Sequence, residues 1–214
     1  MTIERIRDEF DRWARTYDQT VRSESWGFEE YDRILDRVVE VSRAGPGSRV
    51  LEIGVGTGNL SARFLAAGAV LLGVEPSAQM RRVASEKLPG LTLVDGHFED
   101  LTRVQGEFDA AASTYALHHV PDAVKRSVLA KLVGLLRPGG RLVIADLAFR
   151  DAVAREQTRR AFLERGLQER WAEVEEEHWA DLDQVTPVFE DLAAYVQVEQ
   201  LTGLVWLVLA VKRE

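Results

Sequence analysis

Glu52-Ile53-Gly54-Val55-Gly56-Thr57-Gly58 sets an acidic residue two positions ahead of a G-x-G-x-G turn. Glycines let a backbone turn tightly and approach a ligand closely, and the free N–H groups where a helix opens attract polar or anionic groups. Gly54, Gly56 and Gly58 therefore point to a bound ligand. The dinucleotide fingerprint is spaced G-x-G-x-x-G, whereas position 59 here is Asn, which argues against a nicotinamide enzyme. Glu75 follows the apolar run Val70 to Val74, where a carboxylate can accept hydrogen bonds from both hydroxyls of a ribose. A plain helix-start carboxylate is the alternative. Pro76-Ser77-Ala78-Gln79-Met80 continues from it, with Met80 one turn into a helix and able to lie against an adenine face.

His118 and His119 follow another apolar run. Either could serve as a base, or the pair could simply cap and pack a strand-to-helix corner. No metal site is expected from the pair alone, since adjacent histidines point in different directions and no other histidine or cysteine is obviously placed beside them.

These groups need a frame, and the apolar periodicity supplies one. Ile3, Ile6, Phe10, Trp13, Tyr17 and Val21 fall on one helical stripe, and Phe28, Tyr31, Ile34, Leu35, Val38 and Val41 on a second, which Gly45-Pro46-Gly47 ends. Two helices are thus expected before the first strand. Short apolar strands then alternate with helices: strands at Arg49 to Ile53, Val70 to Val74, Leu91 to Val94, Asp109 to Ser113 and Arg141 to Ala145, with helices at Leu60 to Ala67, Ala78 to Leu88 and Asp122 to Leu136. Arg137-Pro138-Gly139-Gly140 reads as the turn that stops the last of these helices. Strands apolar throughout, separated by helices, indicate a parallel sheet covered on both faces. Tyr195 to Leu201 and Leu204 to Val211 are separated only by Thr202-Gly203 and must pair as a hairpin. A mostly helical insertion, residues 147–193, precedes that hairpin, and its acidic cluster Glu173, Glu175, Glu176 and Glu177 reads as a solvated face.

At 214 residues the chain suits one domain, 1–214, and 46% hydrophobic with 29% charged residues suits a globular one. The absence of cysteine excludes disulfides, thiolate metal sites and cysteine nucleophiles, and favours a reducing, cytoplasmic setting. The first residues show no export signal, and the longest apolar run, Leu204 to Val211, is far short of the roughly 20 residues that span a membrane. A net charge of −8 repels phosphate backbones, so a small molecule is the expected partner, with neither nucleic acid nor membrane. Oligomeric state, monomer or homodimer, stays open.

Taken in order, Val50-Leu51-Glu52-Ile53-Gly54-Val55-Gly56-Thr57-Gly58, Gly73-Val74-Glu75-Pro76-Ser77, Ala116-Leu117-His118-His119 and Leu136-Arg137-Pro138-Gly139-Gly140 resemble the class I S-adenosylmethionine-dependent methyltransferases. Phe10-Asp11-x-Trp13-Ala14-x-x-Tyr17-Asp18-Gln19-Thr20-Val21, with Ser113-Thr114-Tyr115-Ala116 and Val205-Trp206, is similar to the bacterial YrrT-type methyltransferases within that class. The resemblance covers almost the whole chain. It implies an α/β, Rossmann-like sandwich with a seven-stranded, mostly parallel sheet, an antiparallel last strand and an N-terminal helical lid at residues 1–45. It further implies S-adenosylmethionine as cofactor, with the glycine turn on its methionine portion, Glu52 near its amino group, Glu75 on its ribose, and Ser113 and Thr114 bordering the sulfonium. Tyr17, on the lid, would reach the carboxylate end.

One position departs from that family pattern. Such proteins often carry Gly-Asp after the third strand to accept from the adenine amino group, and here the run is Asp95-Gly96-His97-Phe98. A neutral His97 can still accept one hydrogen bond and Phe98 can stack; the alternative is that His97 faces solvent and a backbone carbonyl does the task. Trp13 reads as a packing residue, and Trp171, Trp179 and Trp206 as candidates for a substrate pocket, with a core position the alternative for Trp206. The function implied is methyl transfer to a small acceptor; the alternatives are a non-catalytic binder of S-adenosylmethionine or S-adenosylhomocysteine and a nicotinamide oxidoreductase.

Overall fold

Strands buried on both faces need cover on both sides, and the alternation of side chains along a strand divides that cover between two cores. In β1 (Arg49–Ile53) every position after Arg49 is buried. Its Val50 joins Ile34, Leu35 and Val38 of α3 (Tyr31–Ser42) and Leu60 and Phe64 of α4 (Asn59–Ala66) on one face. Leu51 and Ile53 join Leu129 and Leu132 of α6 (Asp122–Gly134) and Phe189 of α9 (Leu182–Leu192) on the other. Each such fully buried side chain contributes about 1.5–3 kcal/mol. The computed structural model describes residues 2–23 and 28–214; the lid segment expected at 1–45 includes Met1, Glu24, Ser25, Trp26 and Gly27, which lie outside the described residues.

β2 (Val70–Val74), β3 (Thr92–Val94), β4 (Phe108–Thr114) and β5 (Leu136–Phe149) run parallel to β1, and β8 (Val205–Lys212) lies antiparallel between β5 and β7 (Ala193–Gln200). The order is β3-β2-β1-β4-β5-β8-β7, the seven-stranded sheet with an antiparallel last strand anticipated from the sequence. The two residues of β6 (Ala180–Asp181) run beside the end of β5. The direction of the chain through the sheet reverses between β1 and β4, which leaves a crevice at their carboxyl ends. Beyond β5 the insertion forms α7 (Ala152–Glu164), α8 (Gln168–Glu176), β6 and α9. No helix among the described residues is long and apolar enough to cross a membrane.

Two elements differ from the sequence reading. The first stripe is divided into α1 (Ile3–Trp13) and α2 (Tyr17–Arg22), so three helices, not two, precede β1 among the described residues. Thr16 N–H returns to the Trp13 carbonyl at 3.0 Å and closes a turn. No glycine or proline marks that break; the stripe keeps its facing because α2 resumes on the same side. The second difference is that Arg137-Pro138-Gly139-Gly140 does not stand before the strand but loops out within it. Leu136 already pairs with Phe108, and the register shifts before Ala110 meets Arg141.

α1 has no fully buried residue, so polar contacts decide where it sits. Asp11 Oδ1 accepts from Ser77 Oγ at 2.5 Å and from Gln79 N–H at 3.0 Å, which ties the helix to the N-terminus of α5 (Ala78–Lys87). A carboxylate there is stabilised by the free N–H groups and the helix dipole. Asp11→Ala is therefore expected to speed amide hydrogen exchange across residues 3–13 by about fivefold, for a loss of ~1 kcal/mol, while the melting temperature moves little. An unchanged exchange rate would show that the apolar stripe alone holds α1 down.

Candidate active site

The glycine turn leaves β1 under tight constraint. Gly54 N–H donates to the Val74 carbonyl at 2.9 Å, which keeps the turn against the end of β2. Its φ is +77°, and a Cβ there would lie 2.7 Å from Ala116 Cβ. Gly56, at φ +56°, has nothing within 4 Å of the place a Cβ would occupy, because that space is the crevice. Gly56 N–H donates to Glu75 Oε2 and Ser77 N–H to Glu75 Oε1, each at 2.8 Å, so both oxygens of Glu75 are fixed by backbone. Glu52 Oε2 accepts from Ser61 Oγ at 2.6 Å.

Both carboxyls line the same cavity, Glu52 1% exposed and Glu75 5%. Burial pushes Glu52 up to about 8 and Glu75 up to about 7, against the opposing pull of their hydrogen bonds. Among the described residues neither is in ion-pair contact with an arginine or lysine. Arg81, the nearest cation to Glu75, instead reaches the backbone carbonyl of that residue and the carboxylate of Asp95. Two acidic groups brought out of water without a cation are a cost to the folded chain, and a positively charged ligand would remove it.

Tyr17, Pro76, Met80, His97, Phe98 and Thr114 line this cavity with Glu52, Gly54, Gly56 and Glu75. Gly58 and Ser113 do not. Gly58 caps the start of α4, and Ser113 Oγ donates to the Ile53 carbonyl at 2.7 Å, which braces the turn from behind. His97 keeps its ring at the wall while Nδ1 accepts weakly from Glu99 N–H at 3.4 Å. Ile3, Ile6 and Phe10 of α1 form the roof. The space beneath is about 110 Å³, below the roughly 300–1,000 Å³ of sites that take drug-sized ligands, so a ligand of nucleoside size requires α1 to lift.

A second cavity, about 480 Å³, adjoins the first. Phe10, Tyr17, Tyr115 and His119 border both. α8 and Trp179 of the insertion form its far wall. Trp171 instead packs between Phe149 and Phe162, and Trp206 lines two other cavities and not this one. Trp13 packs edge-on to Tyr17 at 4.9 Å.

His118 and His119 lie in a 3₁₀ turn, Leu117–His119, that sets their rings side by side with centroids 4.0 Å apart. The expected divergence of adjacent histidines does not occur, because that tight turn keeps both rings on one side. His118 Nδ1 is 2.6 Å from Asp146 Oδ1, and the His118 backbone N–H donates to Asp146 Oδ2 at 3.0 Å. Burial pushes His118 down, but the Asp146 carboxylate outweighs it and holds the imidazole above its ordinary value. Burial and the neighbouring His118 hold His119 well below its own. Glu177 Oε1 is 3.8 Å from His118 Nε2 and 3.9 Å from His119 Nδ1.

Several of these groups escaped the sequence reading. Asp146 is a lone carboxylate inside the buried apolar run of β5, between Ala145 and Leu147, and that placement was a signal for it. Glu177 gave none: it was grouped with a solvated acidic face, yet its side chain is only 23% exposed and Trp179 Nε1 donates to its Oε2 at 2.6 Å. Asp18, overlooked on α2, accepts from Thr57 Oγ1 at 2.6 Å and Asn59 Nδ2 at 3.1 Å and so fastens α2 to the glycine turn. Tyr115 follows β4 at φ +52°, an uncommon conformation for a bulky residue, with its hydroxyl buried and without a hydrogen-bond partner among the described residues.

A methyltransferase-domain family profile matches residues 50–140. An uncharacterized methyltransferase of Geobacillus thermodenitrificans is 39% identical over 211 residues, 96% of each chain. The uncharacterized methyltransferase YrrT of Bacillus subtilis is 37% identical over 209 residues, 95% of this chain and 96% of that one. Among solved structures, magnesium protoporphyrin IX methyltransferase from Synechocystis with bound S-adenosylhomocysteine superposes with a TM-score of 0.69 at 19% identity, over 97% of this chain and 98% of the other. The DhpI complex with S-adenosylhomocysteine gives 0.70 at 16% identity, over 99% and 97%. At such identities the structures share the fold.

The two glycines should separate folding from binding. Gly54→Ala, blocked by Ala116, is expected to lower the melting temperature by several degrees, whereas Gly56→Ala should cost about 1 kcal/mol of strain and chiefly abolish ligand binding; equal effects on both readouts would refute the assignment. The buried carboxyls fix a pH trend as well. Their raised values mean that the folded chain holds protons that the unfolded chain releases, so stability is full below the ordinary carboxyl range and is lost as pH rises towards 7 and 8. Thermal melts of the ligand-free protein should fall by roughly 5–10 °C between pH 5 and pH 9, and by about half as much in Glu52→Gln; a flat profile in the parent would show that these groups are already ionised.

Proposed function

The chain belongs to the class I S-adenosylmethionine-dependent methyltransferases, and from that membership we propose that it transfers the cofactor's methyl group to a small-molecule acceptor held in the second cavity. The observation that carries this reading is the pair of buried carboxyls, Glu52 and Glu75, without a basic partner. S-adenosylmethionine brings two positive centres, an ammonium and a sulfonium, together with a ribose diol. Glu52 takes the ammonium of the methionine portion, which lies along Gly54 and Gly56. Glu75, its two oxygens held by Gly56 and Ser77, accepts from the ribose hydroxyls. Met80 and Phe98 enclose the adenine, with His97 at its edge. Thr114 borders the sulfonium, Ser113 acts on it only through Ile53 and Gly54, and Gly58 serves by setting α4 in place.

Transfer is an in-line displacement that needs alignment and exclusion of water. The acceptor atom reaches the methyl group through the window formed by Phe10, Tyr17, Tyr115 and His119, the residues common to the two cavities. The lid closes that window to solvent. His118 and His119 stand on the acceptor side, nearest the nucleophile. The size of the second cavity and the net charge of −8 both suit a small acceptor and disfavour nucleic acid.

Calorimetric titration of S-adenosylmethionine and S-adenosylhomocysteine tests the reading. Glu75→Ala is expected to weaken both by about 10–100-fold, the loss of charge-assisted hydrogen bonds worth ~1.5–3 kcal/mol. Absence of binding by the parent protein would remove the proposal. Tight binding without turnover across hydroxyl, thiol, amine and carboxyl acceptors would leave a cofactor-binding protein instead.

A further inference from the structure

At the inner wall of the second cavity three donor atoms converge. His118 Nε2, His119 Nδ1 and Glu177 Oε1 lie within 4.8 Å of one another. Their separations of 3.8 and 3.9 Å across the histidine–glutamate gap are too long for hydrogen bonds. Two of the three are turned inward by a partner on their other side. Asp146 engages Nδ1 of His118 and leaves Nε2 to face the gap. Trp179 engages Oε2 of Glu177 and leaves Oε1 to face it. Asp146 is itself fixed by the backbone N–H groups of His118 and Leu147, at 3.0 and 2.8 Å. Nδ1 of His119 is buried and has no hydrogen-bond partner among the described residues, a cost that a native chain ordinarily relieves.

We propose that His118, His119 and Glu177 bind a divalent first-row transition cation, zinc or a neighbour of it, with Asp146 and Trp179 orienting the ligands and the open coordination positions facing the second cavity. Two imidazoles and one carboxylate suit such ions and not calcium or magnesium, which prefer all-oxygen sets. A carboxylate on the far ring nitrogen is the usual outer support of a metal-bound histidine. Bonds of about 2.0–2.2 Å require the donor atoms to draw together by about 0.5 Å across each histidine–glutamate gap and by up to roughly 1.5 Å between the two imidazoles, so both the Glu177 side chain and the histidine rings must shift on binding. Three protein ligands with an open position are the pattern of a site that takes a substrate atom.

That last point rests on the methyl-transfer reading and narrows it: the acceptor is a molecule with a hydroxyl or thiol able to enter the coordination sphere. The ion eases loss of its proton to water. The resulting oxygen or sulfur lone pair forms the new bond to the methyl carbon as the carbon–sulfonium bond breaks and its electron pair returns to sulfur, giving S-adenosylhomocysteine.

The test uses full-length protein stripped with chelator and titrated with Co²⁺, followed by visible d–d absorption and by Zn²⁺ displacement, with S-adenosylmethionine binding measured on the same samples. One equivalent of Co²⁺ is expected. His119→Ala and Glu177→Gln should each weaken it at least tenfold and Asp146→Asn by about 10–100-fold, with cofactor affinity in Glu177→Gln unchanged within threefold. Should a variant fail to fold, ¹⁵N spectra of the parent decide, since Zn²⁺ must shift His118 Nε2 and His119 Nδ1 and leave His97 unmoved. No metal binding, binding unaffected in both His119→Ala and Glu177→Gln, or unshifted ring nitrogens would overturn the site. Cofactor binding without metal would leave the methyl-transfer reading standing and remove this one; metal without cofactor would do the reverse.

Discussion

Glu75 and the glycine turn hold each other in place. The carboxylate ends β2 and accepts backbone N–H groups from Gly56 on one oxygen and Ser77 on the other. That link requires the turn to pass within reach of the next strand, which only residues without a Cβ permit at Gly54, where Ala116 fills the space opposite. Ser113 supports the same turn through the Ile53 carbonyl. The bed of the cavity is therefore made by backbone, and its charge comes from two carboxyls. Backbone donors need no reorganisation when a ligand arrives, and buried acids without a cation favour a ligand that brings one.

The roof is built on a different principle. α1 contributes Ile3, Ile6 and Phe10 to the cavity but buries no residue fully, and its attachments are polar: Asp11 to the start of α5, and Arg7 to Asp95 at 3.1 Å. Asp18 on α2 makes a comparable link to Thr57 and Asn59. Partly exposed polar contacts each contribute on the order of 1 kcal/mol or less. An element held in this way can lift and return at small cost, whereas the sheet beneath it, with its two cores, cannot.

The insertion gives the site its second half. It returns Glu177 and Trp179 to the turn after β4, where His118 and His119 meet Asp146 from β5. Three segments distant in sequence supply the groups around one gap. Four aromatic or imidazole rings, those of Phe10, Tyr17, Tyr115 and His119, stand at the junction of the two cavities.

The sequence by itself determined the sheet and the residues that meet at the first cavity. Apolar strands spaced by helices leave few arrangements, and the convergence of Glu52, Gly54, Gly56 and Glu75 is legible because it arises from local backbone geometry next to a strand end. The break between α1 and α2 was not legible, since nothing in Ala14-Arg15-Thr16 disfavours a helix; nor was the loop of Arg137 to Gly140 inside β5, which depends on the pairing of Leu136 with Phe108. Gly58 and Ser113 were read as facing the ligand, yet packing set them behind the wall. The wall of the second cavity was decided by tertiary structure alone. A glutamate in an acidic stretch looks solvated until the fold turns one of its members inward against a tryptophan, and adjacent histidines seem divergent until a 3₁₀ turn and an aspartate from another strand bring their rings together. Long-range proximity has no local periodicity, and so it leaves no trace in a single sequence.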